Sequence, residues 1–167
     1  MSRRITLIQG HPDPHPERFV RALGAAYVDG ARAAGHAVRI VDVTTLDFPL
    51  LREREQWESG PVPAGLVSAQ EAIQWAEHLV LLFPLWLGGM PALLKGFLEQ
   101  IARPGYAFGR EGPARGAKLL RGRSARLVVT MGMPALVYRV WFRAHSIKSL
   151  ERNILGFVGI HPVRETL

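Results

Sequence analysis

The 167-residue chain contains no cysteine. Disulfides, thiol catalysis and cysteine-ligated zinc are excluded, and the composition fits a cytoplasmic protein. Long hydrophobic runs are also missing: the longest, Leu79 to Gly89, is too short to span a bilayer and contains Pro84. Arg3 and Arg4 lead directly into a strand-like run without a long apolar leader core, so no signal peptide is expected. Neither an internal repeat nor a low-complexity tract interrupts the chain. Hydrophobic residues make up 48% of it, which argues against disorder. Residues 1–167 are therefore expected to form one domain with a real core.

Acidic residues become scarce in the second half. Up to Ile101 there are 9 basic and 11 acidic residues, and from Ala102 onward 12 and 3, a net charge of −2 followed by +9. Such asymmetry suits nucleic acid, an anionic surface, or an anionic cofactor beside a solvated face. The densest cationic stretch, RGAKLLRGRSAR from Arg115 to Arg126, lacks the interleaved aromatics of a base-stacking platform. A solvated or partner-facing loop is expected there, and no nucleic acid.

The apolar runs themselves are short and separated by turn residues. RRITLIQG reads as a buried strand ending at Gly10. After three prolines, Glu17 to Ala34 turns helical, with Phe19, Val20, Leu23, Ala26, Tyr27 and Ala34 on roughly one face and Gly35 closing it. HAVRIVDV is a second strand, followed by a long polar connection from Thr44 to Gly65 and a helix near Leu66 to Ala76. HLVLLFPL is the third strand, and Pro91 opens the next helix at its favoured first-turn position. SARLVVTMG is a fourth strand, a helix is expected over Ser146 to Leu155, and HPVRETL begins a fifth strand. Strands alternating with helices, with central strands apolar on both faces, imply a parallel α/β sheet covered on each side.

In such a sheet, ligands bind outside the carboxyl ends of the strands, where the winding reverses. Three strand exits are unusual: GHPDPHPERF, PLWLGGMP and TMGMPALVY. The first leads into a helix N-terminus near Glu17, a natural seat for a phosphate, with Arg18 able to add a charge-assisted contact. It contains neither GxGxxG nor GxxxxGK[ST]. His11 and His15 have no third ligand nearby, and no metal is expected. In the second exit, Gly88 and Gly89 permit close approach of backbone to a flat ligand flanked by Trp86 and Leu87, or else Trp86 plugs the sheet edge.

At these residues the chain resembles the flavodoxin-like NAD(P)H:quinone oxidoreductases, which include ancillary flavoprotein subunits of bacterial potassium-efflux systems. The most specific parts are the first strand with His11, the segment FPLWLGGMPALLKGFLEQIARPGYAFG, and TMGMPALVY. The resemblance implies a flavodoxin-like three-layer sandwich with a five-stranded parallel sheet. It also implies non-covalent FMN, with FAD as the alternative, and NADPH or NADH as co-substrate. His11, Arg18 and Phe19 match the flavin-phosphate segment, although Pro14, His15 and Pro16 stand where members often carry serine or threonine. Pro84, Leu85, Trp86, Leu87 and Gly88 match the segment beside the ring, and Thr130, Met131 and Gly132 a third flavin-binding segment. Tyr138 and His145 match the pair that shifts charge during hydride transfer, His145 lying one residue beyond the family spacing.

The activity implied is a two-step exchange at one site, in which NAD(P)H delivers hydride and a quinone-type acceptor then collects both electrons. Members are commonly homodimers. LREREQWESGPVPAG and VYRVWFRAHS are candidate interface segments, unless Trp57, Trp141 and Phe142 cover their own sheet. The alternative is a flavin-bearing regulatory subunit partnered with a membrane cation transporter. The family normally continues beyond the fifth strand into a further helix, which the 167 residues do not include.

Overall fold

A computed structural model describes residues 2–111 and 116–167; Arg115, the first residue of the cationic stretch, lies outside them. Five parallel strands form the sheet: β1 (Arg4–Gln9), β2 (Ala37–Asp42), β3 (His78–Pro84), β4 (Ser124–Thr130) and β5 (Val163–Thr166). Their order is β2-β1-β3-β4-β5. This is the flavodoxin-like sheet expected from the sequence. The α-helices are α1 (Phe19–Ala33), α2 (Arg54–Glu58), α3 (Val67–Trp75), α4 (Ala92–Ile101), α5 (Ala135–Val140), α6 (His145–Ser149) and α7 (Gly156–Val158).

The apolar run of β3 and the consecutive buried residues Ile5 to Gln9 of β1 reflect burial on both faces of the sheet. Because successive side chains point to opposite faces, the strands feed two cores. Ile5, Leu7, Val80 and Leu82 meet Val20, Val28 and Ala31 of α1 on one side. Leu79, Leu81, Phe83, Leu127 and Val129 join Ile73 of α3 and Leu94, Phe97 and Ile101 of α4 in the other, larger core. Leu94 and Phe97 are completely buried, and each such side chain contributes about 1.5–3 kcal/mol through removal from water.

Helix α1 begins two residues later than the periodicity suggests, because Arg18 is extended (φ −64°, ψ 126°). It ends as expected at Gly35: the Gly35 and His36 N–H groups donate back to the carbonyls of Arg32 and Ala31. The expected helix over Ser146–Leu155 is α6, which continues as a π-helical segment, Leu150–Leu155, into α7. The Thr44–Gly65 connection carries the short helix α2 and is pinned to α4. Gln100 Nε2 donates to Pro49 O at 2.6 Å, and the buried Arg103 guanidinium donates to the carbonyls of Gln56 and Gly60. Among the described residues no helix is long and apolar enough to cross a membrane.

Candidate cofactor site

Strands β1, β3 and β4 are neighbours, so the loops leaving them emerge side by side at one edge of the sheet. The winding direction reverses between β1 and β3, the position at which a doubly wound sheet opens a crevice.

The first exit is held against the third strand. Gly10 N–H donates to Leu82 O at 2.7 Å, and a Cβ at Gly10 would lie 2.7 Å from a Leu94 methyl, so only glycine lets α4 pack this closely. His11 follows, buried, with its Nδ1 accepting from Asp13 N–H at 2.9 Å. That bond leaves Nε2 as the protonated nitrogen of a neutral ring. Burial is the main cause holding the His11 pKa below its usual value, and Arg21 and Arg18 add to the effect while Asp13 opposes it. The ring meets Trp86 edge-on, with centroids 5.7 Å apart at 81°, so the first and second unusual exits touch directly.

Asp13 organises the rest of this loop. Its carboxylate accepts from His15 N–H at 2.9 Å and from Arg18 Nε at 2.6 Å. The His15 contact is the largest cause of its lowered pKa, with Arg18 contributing further. Arg18 is therefore ion-paired, and Phe19 beside it is exposed. No side chain caps α1 and no acidic residue lies in its first turn, so the first-turn N–H groups of Phe19 and Val20 have no side-chain acceptor.

The second exit is a tight turn. Trp86 and Gly89 exchange backbone hydrogen bonds, both 2.9 Å, around Leu87 (φ 47°) and Gly88 (φ 77°). Two positive φ values make this a mirror-image type I turn, unfavourable for leucine at the first of them. Leu87 is nonetheless fully exposed and Trp86 half exposed. Among the described residues the Leu87 and Gly88 N–H groups donate to no backbone acceptor. Pro84 is buried at the end of β3 and Leu85 half-buried; Leu85 N–H donates to Thr130 O at 2.7 Å, tying this exit to the one after β4. There Thr130 and Met131 are half-buried and Gly132 is exposed, with open space where its Cβ would be.

The chain then forms α5, which the sequence pattern did not signal. Tyr138 on its inner face is buried, and its hydroxyl has no hydrogen-bond partner. Burial pushes the phenol pKa up; the nearby N–H groups of Ile147 and Ser146 act the other way without closing a hydrogen bond. His145 is exposed at the start of α6. The same helix approaches the Trp86–Gly89 turn, for a Cβ on Gly89 would lie 3.7 Å from Ser146 Oγ.

Of the residues singled out from the sequence, His11, Arg18 and Phe19, Pro84 to Gly88, and Thr130 to Gly132 thus lie along adjoining exits. Tyr138 is placed beneath them in the core. Sequence reasoning missed Arg21, whose Nη1 reaches Asp42 at 2.6 Å and whose Nε reaches Asp13 O at 2.8 Å. Arg21 braces the first exit against the end of β2. Burial raises the Asp42 pKa, but Arg21 and Thr44 outweigh it and hold the carboxyl below its usual range. An acidic residue ending the second strand was the available signal. Among the described residues no group of three His, Asp or Glu is placed to hold a metal.

Elsewhere, a groove of about 490 Å³ lies between the long connection, α4 and α7, lined by Trp57, Leu98, Phe108 and Phe157. Its aromatic rings are in contact: the Trp57 and Phe108 centroids are 5.5 Å apart, and those of Phe108 and Phe157 5.2 Å.

The chain belongs to the flavodoxin-like fold family, whose sequence profile matches residues 3–167. It is 27% identical over 161 residues to an uncharacterized NAD(P)H oxidoreductase of Haemophilus influenzae, covering 94% of this chain and 79% of that one. Over 63 residues it is 38% identical to an FMN-dependent NADH:quinone oxidoreductase of Ruegeria pomeroyi, covering 38% of this chain and 31% of the relative. The solved structure of an NAD(P)H:quinone oxidoreductase from Methanothermobacter marburgensis matches with a TM-score of 0.81 at 26% identity, covering 99% of this chain and 84% of that one. The chain spans between 31% and 79% of the length of the curated relatives it matches, and less than two thirds of most of them. The resemblance read from the sequence is borne out.

Proposed function

We propose that the protein is an FMN-dependent NAD(P)H:quinone oxidoreductase. The observation that carries this reading is the convergence of three exits through the His11–Trp86 and Leu85–Thr130 contacts, in a chain whose named relatives use these substrates. The residues present fit the cofactor. The uncapped N-terminus of α1 offers the Phe19 and Val20 N–H groups and a partial positive charge to a phosphate. Arg18 adds a cation once it exchanges Asp13 for the ligand. Backbone N–H groups of Leu87 and Gly88 are available to a ring edge, and Trp86 and Leu87 supply an apolar wall that excludes water. Thr130, Met131 and Gly132 line the adjoining side.

The chemistry FMN supplies when bound is acceptance of a hydride from NAD(P)H and return of two electrons to the acceptor. The preorganised N–H groups at the Leu87–Gly88 turn would hold the ring edge and favour negative charge there. Tyr138 and His145 are the candidate residues for shifting charge, His145 from an exposed position and Tyr138 from a buried one. Donor and quinone-type acceptor use one opening in turn. A cytoplasmic homodimer is the proposed working unit, with the aromatic groove beside Trp57 as its contact face. The reading as a regulatory subunit of a cation-efflux system is not adopted, because the relatives named above are oxidoreductases.

The test is direct. The purified protein should carry or rebind FMN with a resolved visible spectrum. Anaerobic addition of NADPH or NADH should bleach it, and a quinone should restore the colour. A protein that neither retains nor rebinds flavin would remove the assignment.

A further inference from the structure

Helix α5 presents an apolar ridge outward. Leu136 is 71% exposed, Val140 69% and Trp141 82%, and Val137 and Phe142 are also exposed. Leu136 with Val140, and Val137 with Trp141, are four residues apart and so lie along one stripe, while Tyr138 anchors the opposite face in the core. An apolar surface of this kind on a folded chain marks an interaction site.

The charges flanking the ridge are mainly positive. From Ala135 to Arg152 there are four lysines and arginines and one acidic residue, Glu151. Arg143, Lys148 and Arg152 are exposed and enter no ion pair among the described residues, and Arg139 is paired with Glu165. A twofold contact through this face would bring two net-positive surfaces together, so a second copy is disfavoured. The ridge projects instead of forming a cleft, and the aromatic groove lies on other elements. A projecting tryptophan and aliphatics ringed by lysine and arginine complement a fluid surface that is apolar within and anionic at its rim.

We propose that α5 and Trp141 form a peripheral docking element that seats the protein on bilayers containing anionic lipid. The aliphatic side chains and Trp141 enter the headgroup boundary, and Arg143, Lys148 and Arg152 stay at the level of the lipid phosphates. Because α5 directly follows the exit at residues 131–134, docking would bring the candidate site's opening to the lipid–water boundary. That last point rests on the proposed oxidoreductase function; the docking itself does not.

The test is co-sedimentation of the full chain, as purified, with phosphatidylcholine vesicles with and without phosphatidylglycerol at physiological ionic strength. Binding should require phosphatidylglycerol and weaken as salt is added. Removing two cations together, Arg143→Gln with Lys148→Gln, should reduce partition by about fivefold for each charge removed. Replacing Leu136→Ser with Val140→Ser should reduce it by about 25-fold if each side chain is half buried in the bilayer. Reduction of a water-soluble quinone should be unchanged in both variants, which also verifies folding. Failure to bind the mixed vesicles, or equal binding by wild type and variants, would overturn the proposal. So would conversion of a dimer to monomers by the serine pair, since a second copy would then cover the ridge. None of these outcomes affects flavin binding, which is measured separately by the visible spectrum.

Discussion

Replacing Leu87 with glycine separates what the Trp86–Gly89 turn requires from what a ligand requires. Leu87 has φ 47°, a conformation that costs a side-chain-bearing residue about 1–2 kcal/mol. Glycine relieves that strain but loses about 0.5–1 kcal/mol more backbone entropy on folding. The leucine side chain is fully exposed, so its removal forfeits no core burial. The net change is a stabilisation of about 0–1.5 kcal/mol, or a Tm raised by up to about 6 °C for a domain of this size. FMN binding should move the other way. If bound ligand covers half of the side chain, its loss removes about 1 kcal/mol, weakening affinity by about fivefold. Calorimetry of the cofactor-free protein and a flavin fluorescence titration measure the two quantities. A Tm lowered by several degrees would refute the view that Leu87 is strained and unpacked. An unchanged FMN affinity would remove it from the site.

Asp13→Asn should tighten FMN binding by up to about fivefold, the scale of an exposed ion pair, because it frees Arg18 and removes a carboxylate near the phosphate seat; titration at low and high salt checks this. Tyr138→Phe should leave FMN affinity intact and slow hydride transfer in stopped-flow traces; it should also leave Tm equal or higher, since the hydroxyl is buried without a partner. Unchanged turnover would assign Tyr138 to the core alone. His11 is held neutral, with a folded pKa below the ordinary 6.5. Stability is therefore complete above about 6.5 and falls as the pH drops through that value toward the folded pKa, because the unfolded chain takes up the proton first. Urea midpoints measured against pH should show this slope in the wild type and lose it in His11→Asn.

Much of the architecture was legible because its signals are local. The unbroken apolar run of β3, Leu79 to Pro84, and the nearly apolar run of β1 read as strands buried on both faces, and Pro91 marked the start of α4. The three exits stood out because glycine, proline and aromatics cluster where an ordinary turn needs one or two breakers. What remained hidden depended on tertiary context. Helix α5 turns its apolar residues outward, so the usual link between periodicity and core packing fails there, and the inward phase of Tyr138 could not be read. Helix α1 starts after the extended Arg18, whose side chain pairs with Asp13, a contact outside the helix pattern. The Arg21–Asp42 brace joins residues 21 positions apart on different elements and leaves no periodic trace.

Under the proposed function, that brace has a consequence for flavin uptake. Arg21 is satisfied at once by Asp42, Thr44 and the Asp13 carbonyl, so the loop after β1 holds its shape without help from any guest. A loop preformed in this way takes up a ligand by simple capture. Stripped protein should regain flavin in a single concentration-dependent phase, with no slow annealing afterwards, and Arg21→Gln should introduce that missing delay.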